Sequence, residues 1–201
     1  MFKSVNWKRF PRDFLTIQLG FAVYGLAIGL MIQANLGTGP WAVLAVALAD
    51  LAGTTPGTMV VLSGLLVLGA AVALKERIGW GTISNILFIG PWLDLFLLVI
   101  PSINDQIFLQ LGMLFLAMAM IGAASALYIG VDAGAGPRDS LMLAVRRVSG
   151  WSLRLTRGVI ETAVFLVGWL LGGPAGVGTL LFAVLIGPFV QAGFRLFHVQ
   201  A

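Results

Sequence analysis

The sequence lacks cysteine and contains few charged residues. Without cysteine it has no disulfide, no thiolate metal ligand and no cysteine nucleophile. Only 10% of its 201 residues are charged and 59% are hydrophobic, whereas a soluble domain carries roughly a quarter charged residues. This is too little polar material to cover a water-facing surface, so the composition predicts an integral membrane protein. The 26 glycines agree, because glycine lets membrane helices approach each other closely.

Motifs for catalysis and nucleotide binding are also missing. The sequence has no phosphate-binding loop, no cluster of metal ligands and no nucleophile paired with a histidine; the single histidine, His198, lies in the C-terminal tail. We therefore expect a protein that is not an enzyme and that uses no metal or other cofactor. The net charge of +4 does not indicate nucleic-acid binding, because the basic residues flank apolar runs as topology signals do.

Six apolar segments approach the roughly 20 residues that a helix needs to cross a bilayer. Glycine, proline or charged clusters separate them, and such clusters end helices. Two further segments, 40–52 and 137–149, have a helical pattern but are too short to cross comfortably. The six predicted spans are 14–34, 57–74, 82–100, 107–130, 158–173 and 176–194.

The basic residues test this assignment. If the N-terminus is cytoplasmic and the two short segments do not cross, all 12 lysines and arginines fall on the cytoplasmic side. Counting the short segments as spans scatters them to both sides. We therefore expect a multi-pass protein of the bacterial cytoplasmic (inner) membrane, with the lipid bilayer as its main partner and both termini in the cytoplasm. The residues are Lys3, Lys8, Arg9, Arg12, Lys75, Arg77, Arg138, Arg146, Arg147, Arg154, Arg157 and Arg195.

The chain repeats itself, without a gap, at an offset of 97 residues. Of the 58 positions from 37 to 94, 14 are identical to their partners, and these include the glycines and prolines of a Gly-x-Gly-Pro element. This register indicates a duplication. Each half has three spans, an odd number, so the second half enters the membrane from the opposite side. The sequence predicts one all-α polytopic membrane domain (1–201) with six transmembrane helices as 3+3 inverted repeats, 14–100 and 107–194.

Each repeat has a Gly-x-Gly-Pro element directly before its short helix. The glycines permit a tight turn, and proline suits the first turn of a helix. The free N–H groups of such a helix start bind anions or polar solutes if the helix is re-entrant and reaches the interior. The alternative is a plain turn that leads into an interfacial helix. The candidate residues are Gly37, Gly39, Pro40, Gly134, Gly136 and Pro137.

Ionisable groups inside predicted spans are costly in lipid, so they are candidates for function. Asp94 lies in the third span together with Asn85, and its partner in the second repeat is the polar Gln191. Glu161 lies one helical turn after Arg157, so these two either form an ion pair near the cytoplasmic surface or take part in ion coupling.

Arg138 and Asp139 follow the second Gly-x-Gly-Pro element, in the first turn of a short helix. A carboxylate is favoured there by the helix dipole, so Asp139 either caps the helix or has a gating or substrate role. Tyr24, Ser125 and Tyr128 are scattered polar residues for which we expect interhelical hydrogen bonds.

The motifs resemble those of the YczE-like bacterial membrane proteins, which are related to the YitT group. The resemblance rests mainly on the runs from Leu36 to Trp41 and from Gly134 to Met142, and it extends from about 14 to 194. It implies a multi-spanning inner-membrane protein similar to proteins regarded as permeases, without naming a substrate. Members of the group often have an acidic residue after the tryptophan of the first element, where this chain has Ala42; only Asp139 supplies a carboxylate here.

Together these features predict a permease or secondary transporter for a small polar or anionic solute, with its site between the repeats. Asp94, Asp139 and Glu161 are the candidate coupling or gating groups. A non-transporting scaffold or accessory subunit and a channel-like pore are the alternatives. Transport predicts a polar cavity that reaches Asp94 or the two helix starts, whereas a scaffold predicts a dry interior with Asp94 paired internally. A homodimer is compatible with a chain of this size.

Overall fold

The computed structural model describes residues 7–76 and 78–199. Lys3 and Arg77, two of the basic residues used to predict the orientation, lie outside the described residues. The described chain forms eight α-helices. They are α1 (Phe10–Gln33), α2 (Pro40–Ala52), α3 (Pro56–Ala73), α4 (Trp80–Leu97), α5 (Ile107–Gly130), α6 (Pro137–Ser149), α7 (Leu153–Leu170) and α8 (Val177–Leu196).

Five of these helices, α1, α3, α4, α5 and α8, are long and apolar enough to cross a membrane. The prediction of an all-helical, multi-pass membrane protein is therefore confirmed. The helix α7 has 18 residues but contains Arg154, Arg157 and Glu161, so its composition is less apolar. It begins five residues before the expected 158, because the Ser152 hydroxyl accepts a hydrogen bond from the Leu155 N–H and caps it there. The helices α2 and α6 have only 13 residues each.

The eight helices fall into two sets with the same spacing. The first set, α1 to α4, begins at residues 10, 40, 56 and 80, and the second set, α5 to α8, begins 97 residues later, at 107, 137, 153 and 177. Each short helix starts with proline and ends at a left-handed glycine, Gly53 (φ 63°) after α2 and Gly150 (φ 72°) after α6. The local signals that delimit the helices are thus repeated as well.

The packing inside each set is also repeated. The helix α1 packs on α4, α5 packs on α8, and α1 and α5 pack on each other. A Cβ on Gly25 would overlap the chain at Trp92 and Leu93, and a Cβ on Gly122 would overlap the carbonyl group of Phe189. Both crossings therefore depend on a glycine, and the residues involved in the two crossings differ by 97.

Reciprocal hydrogen bonds join the two sets. The Gly178 N–H donates to the Leu36 carbonyl oxygen at 2.6 Å, and the Gly81 N–H donates to the Ala133 carbonyl oxygen at 3.0 Å. Each bond is the counterpart of the other at the 97-residue offset. The loop before α2 therefore lies against the start of α8, and the loop before α6 lies against the start of α4.

The largest break in this correspondence lies between α3 and α7; a smaller one is that α4 packs on α6 whereas, over the described residues, α8 has no comparable packing with α2. The helix α3 packs along α4 at what we call the α3–α4 seam, whereas, over the described residues, α7 has no comparable packing with α8. A Cβ on Gly57 of α3 would overlap the carbonyl oxygen of Gly90 of α4. The counterpart of Gly90 is Gly187, which is exposed and whose Cβ would have nothing within 4 Å. The fold is closed at the α3–α4 seam and open at the α7–α8 seam.

Candidate functional site: a central cavity

A cavity of ≈ 330 Å³ lies where the two sets of helices meet, and all eight helices contribute to its wall. Of its 27 lining residues, 22 form eleven pairs whose numbers differ by 97. The cavity also extends between α7 and α8, where Ile160 and Glu161 face Val190 and Phe194. Its position is therefore central with respect to the two sets, and the open seam forms part of its wall.

Nine of the 13 candidate residues from the sequence line this cavity. Both short helices present their first residues to it, so α2 and α6 point their partly positive ends at the same space. The nine residues are Gly39, Pro40, Asn85, Gly136, Pro137, Arg138, Asp139, Arg157 and Glu161.

Two of the other candidates, Gly37 and Gly134, lie in the loops that precede the short helices. Gly37 has a φ of 97° and packs against Gly176, and Gly134 has a φ of 124° and packs against Gly79. Both the positive φ and the close backbone contact require glycine. These two residues shape the turns and do not line the cavity.

Asp94 also lies outside the cavity, at the α3–α4 seam. One carboxylate oxygen accepts a hydrogen bond from the Gly57 N–H at 2.7 Å, and the other accepts one from the Thr55 hydroxyl at 2.6 Å. The carboxylate thus helps to cap the start of α3. Its counterpart Gln191 is exposed and does not line the cavity. Asp94 is paired as the scaffold hypothesis expects, while the cavity reaches both helix starts as the transport hypothesis expects.

The charged residues of the cavity all belong to the second set of helices. The cavity is therefore symmetric in outline but charged on one side only. Arg138, Asp139, Arg157 and Glu161 occupy the positions that Trp41, Ala42, Val60 and Gly64 occupy in the first set.

Arg157 and Glu161 form an ion pair on α7. The Arg157 Nε donates to Glu161 Oε1 at 2.9 Å, over the i, i+4 spacing of a helix. The pair brings two opposite charges together at the wall of the cavity.

Arg138 lines the cavity and forms no ion pair with any residue that the structure describes. Its guanidinium carbon lies 4.8 Å from the centre of the Trp41 ring, a cation–π contact between residues at matching positions of the two sets. Within the described part of the chain, neither a carboxylate nor another acceptor lies within hydrogen-bonding distance of the guanidinium. Stacking on a ring uses the face of the guanidinium, so the N–H donors at its edge are available to the cavity.

Asp139 lies in the first turn of α6, next to Arg138. Its Oδ2 accepts a hydrogen bond from the Tyr128 hydroxyl at 3.5 Å, and a Cβ on Gly136 would lie 3.4 Å from the same oxygen. Burial raises the pKa of the Asp139 carboxyl, while the positive charges of Arg157 and Arg138 oppose this rise. The carboxyl therefore takes up a proton at a higher pH than an exposed aspartate does.

Four lining residues that are polar or pack on a charged group were not among the site candidates. They are Tyr24, Trp41, Ser125 and Tyr128. Interhelical hydrogen bonds were expected for Tyr24, Ser125 and Tyr128, and among the described residues only Tyr128 forms one, with Asp139. For Trp41 the signal was present, because it aligns with Arg138 in the repeat. Tyr24, Ser125 and Tyr128 lie on α1 and α5, which form the centre of the fold. Their inward direction depends on how these two helices cross, and the sequence does not contain that information directly.

The chain is similar to several bacterial proteins over most of its length. Residues 11–194 match a family of unknown function (DUF6198). An uncharacterized protein of Haemophilus influenzae is 31% identical over 185 residues, covering 92% of this chain and 84% of that protein. The uncharacterized membrane protein YczE of Bacillus subtilis is 29% identical (84% of this chain, 79% of YczE), and the uncharacterized protein YyaS of the same organism is 30% identical (84% and 86%). No solved structure gives a significant match. The resemblance to YczE-like proteins is confirmed.

Proposed function

The chain belongs to the DUF6198 family, whose function is unknown, and we propose that it is a permease or secondary transporter for a small polar or anionic solute. The observation that carries the proposal is the central cavity, which holds two arginines and two carboxylates among membrane helices. Charged groups in such a position are costly, so they are kept where they serve a solute or ion. A cavity of this size, with few polar groups in a mainly apolar wall, is typical of a small-molecule site.

We further propose that the two sets of helices are inverted halves with three spans each. The equal spacing of the helix starts, the paired glycine crossings and the reciprocal hydrogen bonds support this arrangement. It makes α7 the middle span of the second half. Two of its three charged residues are then accounted for, because Arg157 and Glu161 line the cavity.

Contacts between loops support the proposed topology, in which both termini are cytoplasmic. The Asn35 side chain donates to Ser102 Oγ at 2.6 Å and to Asn104 Oδ1 at 3.1 Å, which joins two loops assigned to the outside. Arg147 pairs with Glu76 at 3.0 Å, which joins two segments assigned to the cytoplasm. Both contacts connect segments that the positive-inside rule assigns to the same side.

One observation favours the scaffold alternative, namely the internal pairing of Asp94. However, a scaffold gives no reason for Arg138 to face a cavity without an acceptor. A channel-like pore is disfavoured because the α3–α4 seam is closed beside the cavity. Transport through the cavity needs no catalytic step and no cofactor, and we propose neither.

Uptake into proteoliposomes tests the transport proposal even when the solute is unidentified. Vesicles that contain the purified protein are incubated with the small-molecule fraction of a bacterial extract, and their contents are identified by mass spectrometry. We expect at least one small polar or anionic solute to enter these vesicles faster than it enters vesicles with the Arg138→Gln variant. Contents that match those of protein-free vesicles would contradict transport and favour the scaffold.

A further inference from the structure

We propose that the cavity binds a small organic carboxylate together with one proton, with Arg138 binding the carboxylate and Asp139 accepting the proton. This proposal rests on the proposed transport function and specifies the chemical class of its solute and of its coupling ion.

Several hydrogen-bonding groups face the cavity without a partner among the described residues. Arg138 offers N–H donors, and a planar guanidinium matches a carboxylate through two parallel hydrogen bonds. Within the described residues, the side chains of Asn85, Ser125 and Tyr24 also line the cavity without forming a hydrogen bond. The two carboxylates of the wall, by contrast, already accept hydrogen bonds from Tyr128 and Arg157. The available groups therefore favour a ligand that is rich in acceptors.

The rest of the cavity wall is apolar. It is mostly aliphatic or aromatic and includes Ile89 on α4, Ile121 on α5, and Phe182 and Ile186 on α8. Such a surface packs well on the apolar body of an organic acid. It suits inorganic phosphate poorly, because every oxygen of that ion needs a polar partner. The unpartnered hydrogen-bonding groups and the apolar wall together favour a carboxylate attached to a small apolar group.

The charges of the cavity residues favour the binding of an anion together with a proton. With all four groups ionised, the charges of Arg138, Asp139, Arg157 and Glu161 sum to zero. A monovalent anion would then add an uncompensated charge to a poorly solvated space, which is costly. A proton on Asp139 leaves one net positive charge, and the carboxylate neutralises it. The anion and the proton therefore favour each other's binding, and the coupling is reciprocal.

The geometry selects Asp139 over Glu161 as the proton acceptor. Glu161 already forms an ion pair with Arg157, whereas Asp139 has no ion pair among the described residues. A hydrogen bond from the neutral Tyr128 hydroxyl stabilises a carboxylate less than a guanidinium does. The titratable groups around Asp139 are Tyr24 on α1, Tyr128 on α5, Arg138 on α6, and Arg157 and Glu161 on α7.

Binding to the purified full-length protein in nanodiscs tests this proposal separately from transport. Calorimetry with benzoate, benzamide and benzylamine compares a negative, a neutral and a positive group on the same ring. We expect benzoate to bind at least about tenfold more tightly than benzamide, since hydrogen bonds that involve a charged group strengthen binding by at least about this factor. The affinity for benzoate should rise as the pH falls from about 8 to about 5.5, a range in which benzoate itself stays ionised.

Two variants identify the groups responsible. Arg138→Gln should lose the preference for benzoate while still binding benzamide, which shows that its cavity is intact. Asp139→Asn should bind benzoate at all pH values in this range, because the position is then permanently neutral. Equal binding of the three probes, a preference for benzylamine, no binding of benzoate, or a pH dependence unchanged in Asp139→Asn would overturn the proposal.

The failure of this proposal is distinguishable from the failure of the transport function. If benzoate binds as described but no solute enters proteoliposomes, the carboxylate site stands and transport is wrong. If solutes without a carboxylate enter the vesicles and benzoate does not bind, transport stands and the carboxylate site is wrong.

A different observation carries a second inference. The α3–α4 seam is closed and the equivalent α7–α8 seam is open, although the other extensive packing contacts of the two sets of helices correspond. We infer that the two seams alternate, so that one opens when the other closes. This motion would expose the cavity first to one face of the membrane and then to the other.

The open seam contains some of the small residues that allow α7 and α8 to approach each other. At the α3–α4 seam, a Cβ on Gly90 would overlap Gly57 and the side chain of Val61. The counterparts of Gly90 and Val61 are Gly187 and Gly158, and a Cβ on either would have nothing within 4 Å. The counterpart of Gly57 is Arg154, however, so α7 and α8 would meet around Gly158 and Gly187 and not through the backbone contact that joins Gly57 to Gly90.

Polar residues at the ends of the seams also correspond. Thr55 and Asp94 are bonded at the closed seam, whereas their counterparts Ser152 and Gln191 are exposed and form no bond with each other. If the halves are inverted, the start of α3 and the start of α7 lie at opposite faces of the membrane. The two pairs are then candidate latches on opposite sides of the cavity.

Engineered disulfides test the alternation in a chain that has no cysteine of its own. The pair Thr55→Cys/Asp94→Cys should cross-link quickly, and the pair Ser152→Cys/Gln191→Cys should cross-link more slowly, because it meets only in the other state. After the second pair has cross-linked, hydrogen exchange at the Gly57 N–H should accelerate, because that seam has opened. A second pair that never cross-links, or that cross-links without changing exchange at Gly57, would overturn the inference.

Discussion

Replacing Gly187 with valine should leave the protein folded and stop transport, whereas the same substitution at Gly90 should destabilise the fold. The two positions are counterparts at the 97-residue offset. A Cβ on Gly187 would have nothing within 4 Å, but a Cβ on Gly90 would overlap the carbonyl oxygen of Gly57. Overpacking of this kind costs about 1–3 kcal/mol and sometimes more. A valine at position 187 would cause overpacking only when the α7–α8 seam closes.

Two measurements separate these effects. Thermal unfolding in detergent should show a much larger fall in the midpoint for Gly90→Val than for Gly187→Val, because both variants place a side chain before a helical proline and only Gly90→Val also overlaps Gly57. Uptake of whichever solute the unmodified protein transports should be lost in Gly187→Val. If this variant transports normally, closure of the α7–α8 seam is not part of the cycle.

The second large effect is expected at Gly122, where α5 crosses α8. A Cβ there would overlap the carbonyl group of Phe189, and the Gly193 position of α8 in turn lies against Gly122. A leucine would force the two helices apart, so we expect Gly122→Leu to lose about 3 kcal/mol or more of folding free energy, at the upper end of single substitutions. Reversible unfolding in mixed micelles measures this loss.

Gly112 provides the matched control, because it lies on the same helix and a Cβ there has nothing within 4 Å. Gly112→Leu should unfold at nearly the same denaturant concentration as the unmodified protein. Equal stability of the Gly122→Leu and Gly112→Leu variants would show that the described α5–α8 crossing is wrong.

The fold was largely predictable because its boundaries depend on local signals. Proline begins both short helices and a left-handed glycine ends each of them, so 40–52 and 137–149 could be delimited from sequence. The start of α7 was harder to predict from the sequence. Charged residues at 154 and 157 looked like a loop, but the Ser152 cap begins the helix ahead of them.

The site residues were predictable where a motif marks them. They were unpredictable where tertiary contacts decide which side chains line the cavity. The Gly-x-Gly-Pro elements identified Arg138 and Asp139, which line the cavity. Asp94 resembled an intramembrane charge of the same kind, yet it bonds to Thr55 and Gly57, 39 and 37 residues earlier in the chain. Sequence position alone does not distinguish a carboxylate that caps a neighbouring helix from one that faces a cavity.

The difference between the two seams has only a partial sequence signal, namely that Arg154 stands where Gly57 stands in the first set. Gly90 and Gly187 are the same residue in the same motif, but one is buried and the other is exposed. Which seam is closed depends on a small difference in free energy between two arrangements of similar packing. The sequence therefore predicts the two halves but not the state in which they are found.

A single cysteine at Ser125 tests the central claim, that the cavity opens alternately to the two faces of the membrane. Ser125 is 7% exposed, lines the cavity and differs from cysteine by one atom, and the chain has no other cysteine. In vesicles with uniformly oriented protein, a membrane-impermeant thiol reagent should label Ser125→Cys from either side. Labelling from one side only, or from neither, would contradict transport through this cavity.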